Sequence, residues 1–268
     1  MDLIWWIAYI ALGGVVGLMA GLLGIGGGGI MVPILTSLFL LQGVPHEHLA
    51  HLALGTSMAA IVPASISSLL SHHRRKAVRW EIVRYIAPGI LIGTFCATFI
   101  AALLPTRGLA IFFACFMLLM SLQMLANIKP KPTRSLPGPM GLGGAGLGIG
   151  GISALVAIGG GSMTVPFLTW CNVKLPNAIG TSAAVGLPIA LAGALGYIVN
   201  GIGIDGLPGA SLGFVYLPAL ILMAPFSILM APIGARLAHR LPVVYLKRIF
   251  AVLLMVLSLQ MVYTVFTA

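Results

Sequence analysis

Stretches of about twenty apolar residues recur eight times along this chain, at 3–24, 49–71, 82–104, 107–126, 139–158, 178–199, 213–235 and 243–266. As a helix, each is long enough to cross about 30 Å of hydrocarbon. Only 7% of the 268 residues are charged, 60% are apolar and mean hydropathy is +1.13, whereas soluble domains carry roughly a quarter charged residues. The pattern predicts an all-α polytopic membrane protein and excludes an ordinary soluble domain.

A formal charge of +10 would suit a nucleic-acid binder, but its placement argues otherwise. The basic residues fall in "HHRRKAVRWEIVR" (72–84), "KPKPTR" (129–134), Lys174, and the group Arg236, Arg240, Lys247 and Arg248. With these on the cytoplasmic side, 13 of the 14 Lys and Arg residues are inside and Arg107 alone is outside, a strongly lopsided positive-inside count. Asp2, Glu47 and Asp205 then fall outside and Glu81 inside. The reading is a plasma-membrane protein with both termini outside and a cytoplasmic basic linker. Its basic loops set orientation and touch anionic lipid, and no nucleic acid is called for. The start "MDLIWWIAYIAL" lacks a basic n-region and reads as a structural helix rather than a cleaved signal. Cys96, Cys115 and Cys171 have no metal-ligand spacing and read as packing residues.

The chain repeats itself. "GGGGIMVP" ending at Pro33 matches "GGGSMTVP" ending at Pro166; "LGTSMAAIVPA" (54–64) matches "IGTSAAVGLPI" (179–189); "SLQM" occurs at 121–124 and at 258–261. The offsets are 133, 125 and 137 residues, in the same order, with small loop insertions accounting for the drift. The organisation is a first membrane repeat at 1–126, a basic cytoplasmic linker at 127–138 and a second repeat at 139–268. Charge reverses the second copy, because "NGIGIDGLPGAS" (200–211) has no basic residue while "ARLAHRLPVVYLKR" (235–248) is rich in them. Two inverted-topology repeats with a midplane site between them are common in secondary transporters. Inversion requires residues 3–42 and 139–173 each to form a hairpin, with the glycines near its turn. The second arms, 30–42 and 163–172, reach only about 15–20 Å as helix. They read as re-entrant or unequal hairpins entering from opposite faces, each repeat then adding three spanning helices.

Scattered glycines let membrane helices approach closely, but Gly26, Gly27, Gly28 and Gly29, and Gly159, Gly160 and Gly161 with Ser162, interrupt apolar runs. Such a run reads as unwound backbone, with the first N–H groups of the next helix and its dipole facing the gap. Irregular backbone at membrane depth must be buried in protein or line a wet cavity, and a glycine-walled helix start suits an anion. Thr56 and Ser57, with their counterparts Thr181 and Ser182, lie near the start of the following helix, and either line the site or satisfy their own backbone at i−4. Gln123 and Gln260 repeat as well; they are candidates for polar lining or for interhelical hydrogen bonds. No Asp, Glu, Lys or Arg lies in the middle of any span. An ion there is held by neutral dipoles, which favours a small anion over a cation.

"GLGIGG" (146–151) and "GIGGGG" (24–29) lack the strand or lysine of a nucleotide loop, and no cofactor is expected. "HEHLAH" (46–51) does not match the zinc-protease pattern, although a metal-ion permease using His46, His48 and His51 stays open as an alternative, beside a non-transporting membrane protein. His51, one turn before Gly55, is the candidate for proton coupling, against a plain interfacial histidine.

The duplicated glycine turns and duplicated "GTS" resemble the TauE/SafE family of sulfite and organosulfur anion permeases, over nearly the whole chain. The resemblance implies transport of sulfite, a sulfonate or a related small anion. It carries the substrate-binding role onto Gly26–Gly29, Gly159–Gly161, Ser162 and the "GTS" residues of both halves. Ser162 stands where the first copy has Gly29, so the site need not be symmetric.

Overall fold

The computed structural model describes residues 3–23, 27–126, 133–238 and 243–267. Those residues form α1 (Leu3–Leu23), α2 (Gly28–Leu41), α3 (Leu49–Arg74), α4 (Trp80–Leu103), α5 (Thr106–Leu125), α6 (Pro139–Val156), α7 (Gly161–Trp170), α8 (Leu175–Gly201), α9 (Leu217–Ala238) and α10 (Val243–Thr267). One 3-10 turn, His46–His48, precedes α3. A two-residue antiparallel ladder, β1 (Ser211–Leu212) with β2 (Val215–Tyr216), precedes α9. Eight of the described helices are long and apolar enough to span a membrane, so the protein is an all-α polytopic membrane protein. Helices α2 and α7, at 14 and 10 residues, are the short arms.

The two short arms fold back as hairpins from opposite ends of the bundle. Gln42, after α2, donates from Nε2 to the Tyr9 hydroxyl of α1 at 2.8 Å. At the other hairpin the N–H groups of Thr133 and Arg134, just before α6, donate to the carbonyl of Trp170 at the end of α7, at 3.3 and 3.2 Å. The end holding Trp170 also holds the α3–α4 link, whose Ala77 carbonyl accepts from Asn177 Nδ2 at 3.3 Å. The opposite end gathers the α2–α3, α4–α5 and α8–α9 links: Thr106 Oγ1 donates to Glu47 O at 2.6 Å, and Phe214 lies beside His48 and His51.

Helices α3 and α8 form the buried centre, and their flanks are held by close approach. Gly13 and Gly17 of α1 sit on the backbone of α9 at Met223 and Ser227; Gly146 and Gly150 of α6 sit on the backbone of α4 at Ile86 and Ile90. A Cβ at any of the four would meet a carbonyl of the neighbouring helix at no more than 2.5 Å. Without a hydrophobic drive between helices in lipid, such contact is what holds them together. The first pair of glycines and the second are 133 residues apart, and the backbone positions that receive them are 137 apart. Large apolar side chains such as Ile4, Ile92, Leu119, Ile221 and Leu259 point outward, as a lipid-facing surface requires.

Two boundaries differ from the sequence expectation. Gly28 and Gly29 are not unwound but form the first turn of α2, with the N–H groups of Ile30 and Met31 both donating to Gly27 O at 3.1 and 3.0 Å. Tertiary packing here overrides glycine's low helix propensity, a loss of roughly 1 kcal/mol per residue. The apolar run from 213 does not open as helix either: residues 211–216 turn back as a hairpin and α9 starts at Leu217. Gly213, at φ +56, permits that turn.

Candidate functional site

The two breaks meet. Gly28, in the first turn of α2, abuts the carbonyl of Ala157, the left-handed cap that ends α6, so tightly that a Cβ on Gly28 would overlap it. The same Cβ would stand 3.2 Å from Ile61 Cδ1 of α3. Gly27 is covered by Val16, and Gly29 faces Leu254 and Met117. Gly26 lies outside the described residues. In the second half the chain leaves helix at Ala157 and resumes at Gly161, so Gly159 and Gly160 are the non-helical pair. Gly160 is walled by Ile189 Cδ1 and Val185 Cγ2, each 3.2 Å from its Cβ position, and by Thr164 Oγ1 at 3.3 Å. Ser162 is half-buried in the first turn of α7.

The "GTS" residues divide in two. Each threonine oxygen accepts a backbone N–H from the other half of the chain: Thr56 Oγ1 from Tyr216 at 3.0 Å, just before α9, and Thr181 Oγ1 from Arg79 at 3.0 Å, just before α4. These bonds fix the start of a helix in the opposite half. The serines that follow make none. Ser57 Oγ and Ser182 Oγ are buried without a hydrogen-bond partner. Ser57 lies one turn before Ile61, which touches Gly28, and Ser182 one turn before Gly186, whose Cβ position is 3.8 Å from Gly160 N. Residues one turn apart share a helix face, so each serine stands on the face that meets a break. Buried hydroxyls without partners are uncommon and ask for an explanation.

The remaining candidates sit elsewhere. Gln260 donates to Ser37 Oγ at 3.4 Å on an exposed face between α10 and α2, and Gln123 is half-buried late in α5. His51 is buried, its ring stacked on Phe214 with centroids 5.1 Å apart. Its Nε2 lies 3.0 Å from Ala101 O; a carbonyl only accepts, so that nitrogen carries the proton and Nδ1, which has no partner, is left as an acceptor. His48 Nε2 lies 3.4 Å from Glu47 Oε1, and His46 Nε2 is buried without a partner. Among the described residues, no three His, Cys, Asp or Glu side chains come together as a metal site.

At the end of the bundle holding the α3–α4 and α7–α8 links, a cleft of about 560 Å³ opens, lined by Lys76, Arg79, Lys174, Asn172 and Asn177, with Glu81 3.3 Å from the Arg79 guanidinium. Its wall at Arg79 is the segment that Thr181 holds. No short sequence motif announced this cleft, because its cations come from two links about a hundred residues apart; the positive-inside count was the only signal.

A family model described as "Sulfite exporter TauE/SafE" matches residues 9–261. A probable membrane transporter protein of Haemophilus influenzae is 38% identical over 255 residues, covering 94% of this chain and 96% of that protein. The probable membrane transporter protein YunE of Bacillus subtilis is 24% identical over 279 residues, covering 95% and 96%. A probable membrane transporter protein of Methanocaldococcus jannaschii is 26% identical over 267 residues, covering 94% and 93%. No solved structure matches the chain. With the match running through both hairpins and the helices that follow them, the chain belongs to the sulfite exporter TauE/SafE family of membrane transporters.

Proposed function

We propose that the protein is a permease for a small anion, sulfite or an organosulfonate, taken up between the two glycine breaks. The observation that carries this reading is the convergence of the two breaks at Gly28 and Ala157, with the unpartnered hydroxyl of Ser57 on the helix face that meets Gly28 and that of Ser182 on the face that meets Gly160. Helix starts offer N–H groups and a positive dipole end, serine hydroxyls add donors, and no lysine or arginine is needed to hold one negative charge. Gly27 to Gly29, Gly159 to Gly161 and Ser162 supply backbone; Gly26 belongs to the same set by sequence alone.

The two halves, 1–126 and 139–268, are read as inverted copies joined by the linker at 127–138. In support, α1 packs on α9 as α6 packs on α4, and the two threonine bonds cross between halves in the same manner. The basic end is assigned to the cytoplasm by the positive-inside rule, so both termini face outward and the cleft at Lys76, Arg79 and Lys174 is the cytoplasmic mouth, drawing anions from solution. With the interior negative, a monovalent anion gains about 2.3 kcal/mol per 100 mV on leaving. Export then needs no coupling ion, and His51 is the one candidate for proton coupling if uptake occurs.

The test is flux of labelled sulfite into proteoliposomes, against a panel of sulfonates, carboxylates and divalent metal ions. Saturable flux of sulfite or a sulfonate is expected. Transport of metal ions, lost on replacing His46, His48 and His51, would replace the anion reading; absence of any flux would end it.

A further inference from the structure

Several hydroxyls on these helices close on their own backbone. Thr36 donates to Val32 O at 2.8 Å, Thr98 to Phe95 O at 2.6 Å, Thr169 to Val165 O at 2.9 Å and Ser258 to Met255 O at 2.9 Å, as such residues do in membrane helices. Thr164, fully buried in α7, does not: its Oγ1 has no partner, although Gly160 O, which accepts from Thr164 N at 2.9 Å, is the i−4 carbonyl it could use. The oxygen lies instead 3.3 Å from the Cβ position of Gly160, beside the start of its own helix.

A second observation falls on the same point. On the facing helix α8, Gly186 leaves a methyl-sized gap in front of Gly160 N: a Cβ there would sit 3.8 Å from that nitrogen and 3.7 Å from Ser65 Oγ of α3. Ser182, buried and unpartnered, is one turn away on the face of Gly186. The N–H groups of Gly161, Ser162 and Met163 precede the first helical bond of α7, from Thr164 N to Gly160 O, and have no intrahelical acceptor. Thr164 Oγ1, Val185 and Ile189 thus line Gly160 from one side, and Ser65 Oγ stands across the space in front of Gly160 N that Gly186 leaves open, with Ser182 one turn along α8. In the other half the corresponding positions are Met31 for Thr164, Ile61 for Gly186 and Ala190 for Ser65, so the first break lacks this polar lining.

The geometry points to a single asymmetric oxyanion subsite at the start of α7, in which Thr164 and Ser182 donate to the anion, Ser65 stands at its edge and Gly186 keeps its space open. Thr164 is the specificity-determining residue, because its hydroxyl is the donor that α2 lacks. This deepens the permease reading and rests on it.

Gly186→Ala tests the space without a clash, since its nearest neighbours stay at 3.7 Å or more, and alanine is the better helix former. Thr164→Val removes the hydroxyl and keeps the shape; Thr164→Ser restores it. With sulfite flux in proteoliposomes as the readout, Gly186→Ala and Thr164→Val are each expected to raise KM by about tenfold or more, with Thr164→Ser within about threefold of wild type. Gly186→Ala should melt at or above the wild-type temperature. If wild type carries sulfite and both variants keep its KM, the subsite is refuted while the permease reading stands. If wild type carries no anion at all, both fall together.

Discussion

The two glycine breaks carry nearly the same eight-residue signature and sit in the same kind of hairpin, yet they are lined differently. The first is a packing surface: Gly28 presses on the Ala157 carbonyl, Gly27 on Val16, and Met31 and Ile61 close around them. At the second, Gly160 faces an unpartnered Thr164 and a gap kept by Gly186, with Ser65 and Ser182 nearby. The two motifs give similar local backbone at both breaks, and a few side-chain differences concentrate the polar groups at the second. In the proposed reading, the first break is the rigid counterpart against which the second holds the anion.

The sharpest way to break this comparison is to put a methyl group on each break. Gly28→Ala must displace backbone, and is expected to cost about 3 kcal/mol or more, at the upper end for overpacking. Gly160→Ala meets only side chains, at 3.2–3.3 Å, and should cost about 1 kcal/mol while abolishing transport. Melting in detergent, read beside flux, checks both; equal destabilisation would mean that the two breaks are packed alike. Next in size, Thr56→Val and Thr181→Val each remove the acceptor of a backbone N–H at a helix start. About 2 kcal/mol is expected for buried Thr56, and about 1 for Thr181, whose bond is more open to water. The smallest stability change belongs to Ser57→Ala and Ser182→Ala, which lose no bond and should stay within about 0.5 kcal/mol. Flux should rank them, with KM raised several-fold by Ser182→Ala and by less, about twofold, by Ser57→Ala.

The spans, hairpins and breaks were legible because each is written in contiguous residues: apolar length, glycine runs and repeated "GTS". The start of α2 at Gly28 was not, since intrinsic propensity argues against helix there and only packing against Ala157 and Ile61 supports it. The 211–216 hairpin was hidden inside an apolar run, with two-residue strands too short to show alternation. Thr56 and Thr181 were legible as a matched pair, but their partners, Tyr216 and Arg79, lie 160 and 102 residues away and carry no local signal. Thr164, Gly186 and Ser65 were missed for the same reason: three helices bring them together, and although Thr164 and Gly186 lie within repeated motifs, they stand at positions where the copies differ.

Sulfite flux from proteoliposomes under a clamped potential and without a pH gradient tests the central claim most directly. A site that holds the monovalent hydrogen sulfite ion by neutral dipoles should give flux toward the positive side, approaching about a fiftyfold concentration ratio per 100 mV, and surviving His51→Ala. Flux indifferent to voltage, dependent on a proton gradient and lost in His51→Ala would contradict it, and would make the protein a proton-coupled carrier instead.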